Sequence, residues 1–206
     1  MTVHLNTHVA LFNNTLLLNG EVIVAQQSSA SELFALAYHQ LNINYPKFFK
    51  MDNLCKTGFI AAELLLKGNN TQAHYTPEQK GIVLSSRNSS LDTDIKYNAS
   101  TATNPSPSLF VYTLPNVLIG ELCIRNVIKG ETACFVFDTF EADFQTEYVN
   151  LLYDAGSIKT CISGWADFFE EKAEAFIYLT EQRENPSGTL HNAENIKNIY
   201  SNIWKN

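Results

Sequence analysis

The stretch that decides the fold is KGETACFVFDTFEADF, Lys129 to Phe144. Its Thr-Ala-Cys looks like a nucleophile motif, with Cys134 as the thiol. The flanking residues argue otherwise. Cys134 is followed by Phe-Val-Phe, bulky strand formers with no turn among them. A reactive nucleophile needs a strand-to-helix junction, where a helix N-terminus favours the anionic form. The first junction of that kind comes later, at Asp138-Thr139. ACFVFD therefore reads as a buried strand and Cys134 as an inert core thiol, and Thr139 or Asp138 is expected to cap the helix that follows.

Working outward, that helix covers TFEADFQTEYVNLLYDAG, with Phe140, Phe144, Tyr148 and Leu151-Leu152 as its apolar stripe and Gly156 at its end. Upstream, a helix is expected from about Thr113 through LPNVLIGELCIRNVIK to Gly130, with Pro115 in its first turn. Gly120 in mid-helix costs about 1 kcal/mol against alanine, so a close neighbour is expected there. Arg87 to Ser108 reads as a polar connection, and GIVLSS, Gly81 to Ser86, as a short strand. A helix is expected from Met51 to Lys67, ended by Gly68. Another runs from a cap at Ser31 to Leu41. Asn19-Gly20, between two apolar runs, predicts a hairpin with a type I′ turn. Two more strands, KTCISGW and AEAFIYLTEQ, precede a loop and a short helix ending near Trp204. The alternation of strands and helices argues for a layered α/β sheet with helices on both faces, five-stranded and mostly parallel.

The 206 residues suit one domain, 1-206. Fourteen Lys plus Arg against 21 Asp plus Glu give a net charge of −7. No basic run is present, which argues against nucleic acid or anionic membrane as partner. The N-terminus lacks a signal-peptide pattern. No apolar run reaches the ~20 residues of a membrane span. The four cysteines, at 55, 123, 134 and 161, form no CxxC pair, so neither a metal site nor a cofactor is expected. Reduced thiols in a cytoplasmic protein are the simplest account.

The residues also resemble a family. FVYTLPNVLIGELCIRNVIKGETACFVFDT, Phe110 to Thr139, resembles the β-ketoacyl synthase segment that runs from a P-N-T-x-x-N-x-x-A-G-H helix through a K-G-P step into the nucleophile strand. Asn116, Gly120 and Lys129-Gly130 fall on matching positions without a gap. KFFKMDNLCKTGFIAAELLLKG resembles the family's K-M-D-x-x-x-x-L-A-x-x-A-A helix. Gly156 and Gly164 match the G-x-A-D-x-x-x-x-G-G-A-E segment. The match is strongest over 47-182. It implies the N-terminal half of a thiolase-like fold, without a counterpart of the histidine-bearing C-terminal half. The half-length relatives it points to are chain-length-factor-like proteins of aryl polyene pigment pathways.

Nine residues separate Gly130 from Thr139, and seventeen separate Thr139 from Gly156. The resemblance thus places Thr139, not Cys134, at the family's nucleophile position. A threonine nucleophile needs an adjacent base, and no histidine of this chain sits in a motif. No catalytic residue is therefore expected. Phe140 stands where the family has small residues, crowding the space where an acyl chain turns. The family's Gly-rich loop reads SSRNSS here, Ser85 to Ser90. The resemblance further implies that ACFVF pairs with a partner strand across a two-fold. Leu109, Phe110 and Tyr112 would lie near the partner's acyl pocket, and Asn116, Gly120, Phe135, Phe137 and Phe140 would line tunnel or interface. The alternative for ACFVF is a central strand between helix layers. The implied partner is a full-length ketosynthase, or a second copy, with an acyl carrier protein reached indirectly. The alternative function is a stand-alone acyl-transfer or acyl-binding homodimer.

Overall fold

Asn19 and Gly20 both take positive φ, 51° and 88°, so the hairpin turn forms as the Asn-Gly pair predicts. In the computed structural model, which describes residues 2-68, 74-183 and 188-203, that hairpin is β2 (Thr15–Leu18) and β3 (Glu21–Ala25). It extends a sheet whose long members are β1 (Thr2–Phe12), β6 (Thr160–Phe169) and β7 (Lys172–Arg183). β4 (Lys80–Ser86), β5 (Thr132–Val136) and the two-residue β8 (Thr189–Leu190) complete it. The order is β3-β2-β1-β7-β6-β4-β5, with β8 on β1.

The layered α/β expectation holds, but the expected five mostly parallel strands are corrected to eight among the described residues. Five of the pairings are antiparallel, and only β4 with β5 and β4 with β6 are parallel. The difference comes from the N-terminus. TVHLNTHVALF pairs along β7 from Thr2↔Arg183 to Leu11↔Ala175, and this long-range pairing outweighs its weak local pattern.

One face of the sheet is covered by α1 (Ala30–Gln40), α2 (Asn53–Leu66) and α5 (Val117–Asn126), the other by α6 (Ala142–Asp154) and α7 (Ala193–Ile203). Ser29, not Ser31, caps α1, accepting the Glu32 N–H at 3.2 Å. Asp52 caps α2 by accepting the Cys55 N–H at 2.9 Å, and its other oxygen accepts from Thr93 at 2.8 Å. The stretch read as a polar connection contains α3 (Leu91–Thr101) and the short α4 (Pro107–Val111). α3 buries only Thr93; Leu91 and Ile95, one turn apart on one face, stay exposed, so the helix lacks the buried stripe that anchors the others. α5 starts at Val117, which leaves Pro115 in the turn before it. The expected loop at Asn69-Asn70 and Trp204 lie outside the described residues.

Close packing falls not on Gly120 but on Gly58 of α2. A Cβ at Gly58 would lie 2.6 Å from Leu118 Cδ1 of α5, whereas one on Gly120 would meet nothing within 4 Å. Gly164 takes φ +137° in mid-strand, and a Cβ there would stand 2.0 Å from the Phe176 carbonyl oxygen of β7. No other residue type fits so close to a backbone. Among the described helices, none is long and apolar enough to cross a membrane.

Candidate functional site

β4 and β5 run parallel and end together, so the loops that follow them meet. After β4, Ser86 to Ser90 wraps around Asp167 of β6, which is 7% exposed. Asp167 Oδ1 accepts from Ser86 Oγ at 2.6 Å and from the N–H groups of Arg87 and Asn88 at 3.1 and 2.8 Å. Its Oδ2 accepts from Asn88 Nδ2 at 2.7 Å. A loop of this shape could cradle an anion with its backbone N–H groups; here the chain's own carboxylate fills it. Arg87 then reaches across, its Nε donating to the Asp138 carbonyl at 2.6 Å. The two loops are locked together at the turn that carries Thr139. Neither Asp167 nor Arg87 stands out in sequence, because the loop that selects them is folded by contacts some eighty residues apart.

Thr139 is exposed and does not cap α6. That helix begins at Ala142, after a cap position at Glu141 that makes no side-chain cap bond. The Thr139 hydroxyl donates instead to Glu141 Oε1 at 3.0 Å. Phe140 turns inward, 9% exposed, edge-on to Phe176 at 5.4 Å and tilted against Tyr200 of α7 at 4.9 Å. A phenyl ring thus fills the space beneath the turn. His191 is buried beside Asn150, with Nδ1 2.9 Å from Asn150 Oδ1. Asn150 lies about 12 Å along α6 from its start at Ala142, at 1.5 Å per residue. Burial pulls the His191 pKa down to about 4. Cys134 is half-buried, its thiol 3.6 Å from the Pro115 carbonyl, and burial pushes its pKa up. It lies within the strand, not at its end, so it lacks the helix N-terminus that activates a thiolate.

The expected buried strand ACFVFD is corrected: β5 stands at the edge of the sheet, paired only with β4 among the described strands. Thr132, Cys134 and Val136 point to the α5 side, and Cys134 packs on the core there. Ala133 and Phe135 point to the α6 side. On that side Phe135, Phe137, Phe144 and Tyr148 form one cluster, with ring centroids 4.8 to 6.0 Å apart. The expected core stripe of α6 is therefore corrected. Gln145, Thr146, Val149 and Tyr153 face the sheet, while Phe144 and Tyr148 are only half-buried and Leu151 is 61% exposed. Gln145 can face inward because its Nε2 donates to the Val83 carbonyl at 2.6 Å and to Ser163 Oγ at 2.8 Å.

Past the end of β4, α3 and α4 form an outer lobe. Phe110 is 53% exposed and leans on Tyr97 at 5.4 Å. Ile95, Val111 and Leu114 are exposed around it. Leu109 is half-buried. Tyr112 is buried, and burial, then the nearby Glu121 carboxylate, pushes its phenol well up. Glu121, itself buried, is paired with Lys47 at 2.6 Å. Asn116 and Gly120 line a groove of about 360 Å³ between α5 and β5, with Cys123, Thr132 and Cys134 on its other walls. The tertiary structure thus gathers Phe135 and Phe137 on one side of the free edge and Asn116 and Gly120 on the other. Leu109 and Phe110 sit in the lobe, and Phe140 lies in the second core, against which Phe137 also packs.

Solved structures of similar fold were found. One is the ishigamide ketosynthase/chain length factor, with a TM-score of 0.63, 17% identity, and 91% of this chain and 64% of that one covered. A second is a type II polyketide acyl carrier protein in complex with its ketosynthase bound to the hexaketide, with a TM-score of 0.60, 13% identity, and 88% and 62% covered. A third is the ketosynthase ApeO in complex with its chain length factor ApeC from Xenorhabdus doucetiae, with a TM-score of 0.58, 12% identity, and 98% and 92% covered. The chain thus spans less than two thirds of the first two and nearly the whole of the third. No protein-family model and no curated protein matches the sequence. The fold is that of ketosynthases and their chain length factors, the thiolase-like α/β arrangement that the residues resembled.

Proposed function

We propose that this chain is a chain-length-factor-like subunit. It pairs through β5 with a full-length β-ketoacyl synthase and forms part of the wall of the tunnel in which an acyl chain grows on an acyl carrier protein. It acts in the cytoplasm as one domain, 1-206. The observation that carries this reading is the open edge at β5. A strand apolar on both faces ends the sheet, flanked by a half-exposed cluster of aromatic rings. An apolar edge left unpaired invites aggregation, so a partner strand is the physical expectation.

Two further observations support it. Similar folds occur in ketosynthase and chain-length-factor complexes, one of them in a chain of nearly this length. The turn at Thr139 is also built unlike a nucleophile site, with its hydroxyl on a carboxylate and Phe140 packed beneath it. The condensation chemistry is assigned to the partner. In the pair, the α3–α4 lobe bearing Leu109, Phe110 and Tyr112 reaches the shared wall, where a bulky residue limits chain length because each added methylene meets an overpacking cost.

The test is co-expression with a full-length β-ketoacyl synthase from the same genome, followed by size-exclusion chromatography with mass determination. A one-to-one complex supports the reading. A well-behaved homodimer that ignores the synthase overturns it in favour of an independent acyl-binding protein.

A further inference from the structure

Along α5, one stripe faces away from the chain's own core, from Asn116 at the start through Gly120 and Ile124 to Val127 at the end. Positions three and four apart share a helix face. Three features of this stripe work against the stability of the isolated chain. Gly120 is exposed in mid-helix, and a Cβ there would meet nothing within 4 Å, so the helix stability that glycine forfeits there answers no need within this chain. Ile124 is 66% exposed and Val127 56% exposed. Val127 also takes φ 51°, a left-handed conformation that strains a β-branched residue. The stripe borders the groove beside β5, whose outer edge has no partner among the described strands.

We infer that this stripe is a helix-on-helix contact, with Gly120 as the point of closest approach, and that its occupant is a helix of the partner ketosynthase. The inference rests on the reading of β5 as the pairing edge. The occupant follows from the two features together. A lone extended peptide would satisfy the strand edge but leave the α5 stripe in water. A chain that brings both a strand and a helix layer at matching height covers both, which describes a partner of this same layered fold. Glycine lets two helix backbones approach closely, and the aliphatic pair Ile124 and Val127 then gains a dry neighbour.

The experiment compares wild type, Gly120→Ala, Gly120→Leu, Ile124→Glu and Val22→Glu. Val22 is 61% exposed on the opposite sheet edge and serves as the control. Thermal melts of each isolated chain are expected to show Gly120→Ala at or above wild type, since alanine is the better helix former. Titration against the ketosynthase is expected to weaken by about tenfold or more for Gly120→Leu and Ile124→Glu, with Val22→Glu unchanged. Ile124→Glu removes the contact without touching the glycine, so the inference does not depend on the leucine variant folding. Folded Gly120→Leu and Ile124→Glu chains that bind the synthase as wild type does would overturn the helix contact while leaving the pairing reading intact. A wild-type chain that fails to bind the synthase overturns the pairing reading and, with it, this occupant. A homodimer that Gly120→Leu splits into monomers overturns the occupant in favour of a second copy.

Discussion

Thr139 shows how far a single residue could be read. Counting from Gly130 and Gly156 placed it at the turn after β5, and the turn is there. The expectation that it caps the helix fails, because the helix starts three residues later and the hydroxyl donates to Glu141 instead. Thr139→Ala is therefore expected to leave product formation by the reconstituted pair within about twofold of wild type. A fully assembled but inactive complex would contradict the proposed division of labour. His191 is the opposite case, a residue of the C-terminal tail that the tertiary structure buries. Its folded pKa, about 4, lies below the ordinary 6.5, so the unfolded chain takes up the proton first as pH falls. Its stabilising contribution is complete above pH 6.5 and declines toward pH 4, by about 3 kcal/mol in all. Replacing it by asparagine should flatten that part of a plot of unfolding free energy against pH; an unchanged slope would mean that the histidine is not buried neutral.

At the scale of elements, some short-range signals were readable, namely the Asn19-Gly20 hairpin, the end of α2 at Gly68 and the end of α6 at Gly156; the caps expected at Ser31 and Thr139, and the end of α5 expected at Gly130, were not where the helices begin and end. α3 was not readable, since its mostly polar surroundings read as a connection, its Leu91 and Ile95 stay exposed, and it is tied down by the Thr93–Asp52 hydrogen bond. The C-terminus of α5 departs from the usual glycine by placing Val127 in the left-handed region. Val127→Gly should stabilise the isolated chain by about 1 kcal/mol, raising its melting temperature by roughly 2–4 °C. A fall in calorimetry would show that the valine side chain already packs within this chain. Asp167 organises the loop after β4 with four hydrogen bonds, two of them from backbone N–H groups. Asp167→Ala strands those donors, one in a buried bond and three in part-buried ones, and is expected to cost about 2 kcal/mol. Denaturant unfolding at neutral pH reads this directly, and a loss below about 1 kcal/mol would mean that water replaces the carboxylate.

The whole molecule has two sides of different character. One sheet face carries α1, α2 and α5 over a large core; the other carries α6 and α7 over a smaller core that includes Phe140 and Tyr200. At the β5 end the sheet stops without a further strand among the described residues, and the α3–α4 lobe presents Ile95, Phe110, Val111 and Leu114 to solvent. If that lobe reaches the shared tunnel, Phe110→Ala shifts the product toward longer chains while the complex still assembles, since removing the ring opens room for added methylenes. Mass spectrometry of the carrier-bound products decides the matter, and an unchanged chain-length distribution would place the tunnel wall elsewhere.

What the sequence determined by itself was local and periodic: the layered α/β class, the Asn-Gly turn, the strand at Gly81 to Ser86, and the spacing that set Cys134 inside a strand and Thr139 after it. What only the tertiary structure decided was position. An apolar strand such as β5 suits the middle of a sheet as well as an edge awaiting cover, because its residues are the same in both. The order of strands is set by pairings between distant segments, such as β1 with β7, and no local pattern carries that information. The same holds for α6, whose most apolar stripe was expected to face the core. Gln145 found buried acceptors at Val83 and Ser163, and the aromatic stripe was left beside the open edge, where a partner would cover it.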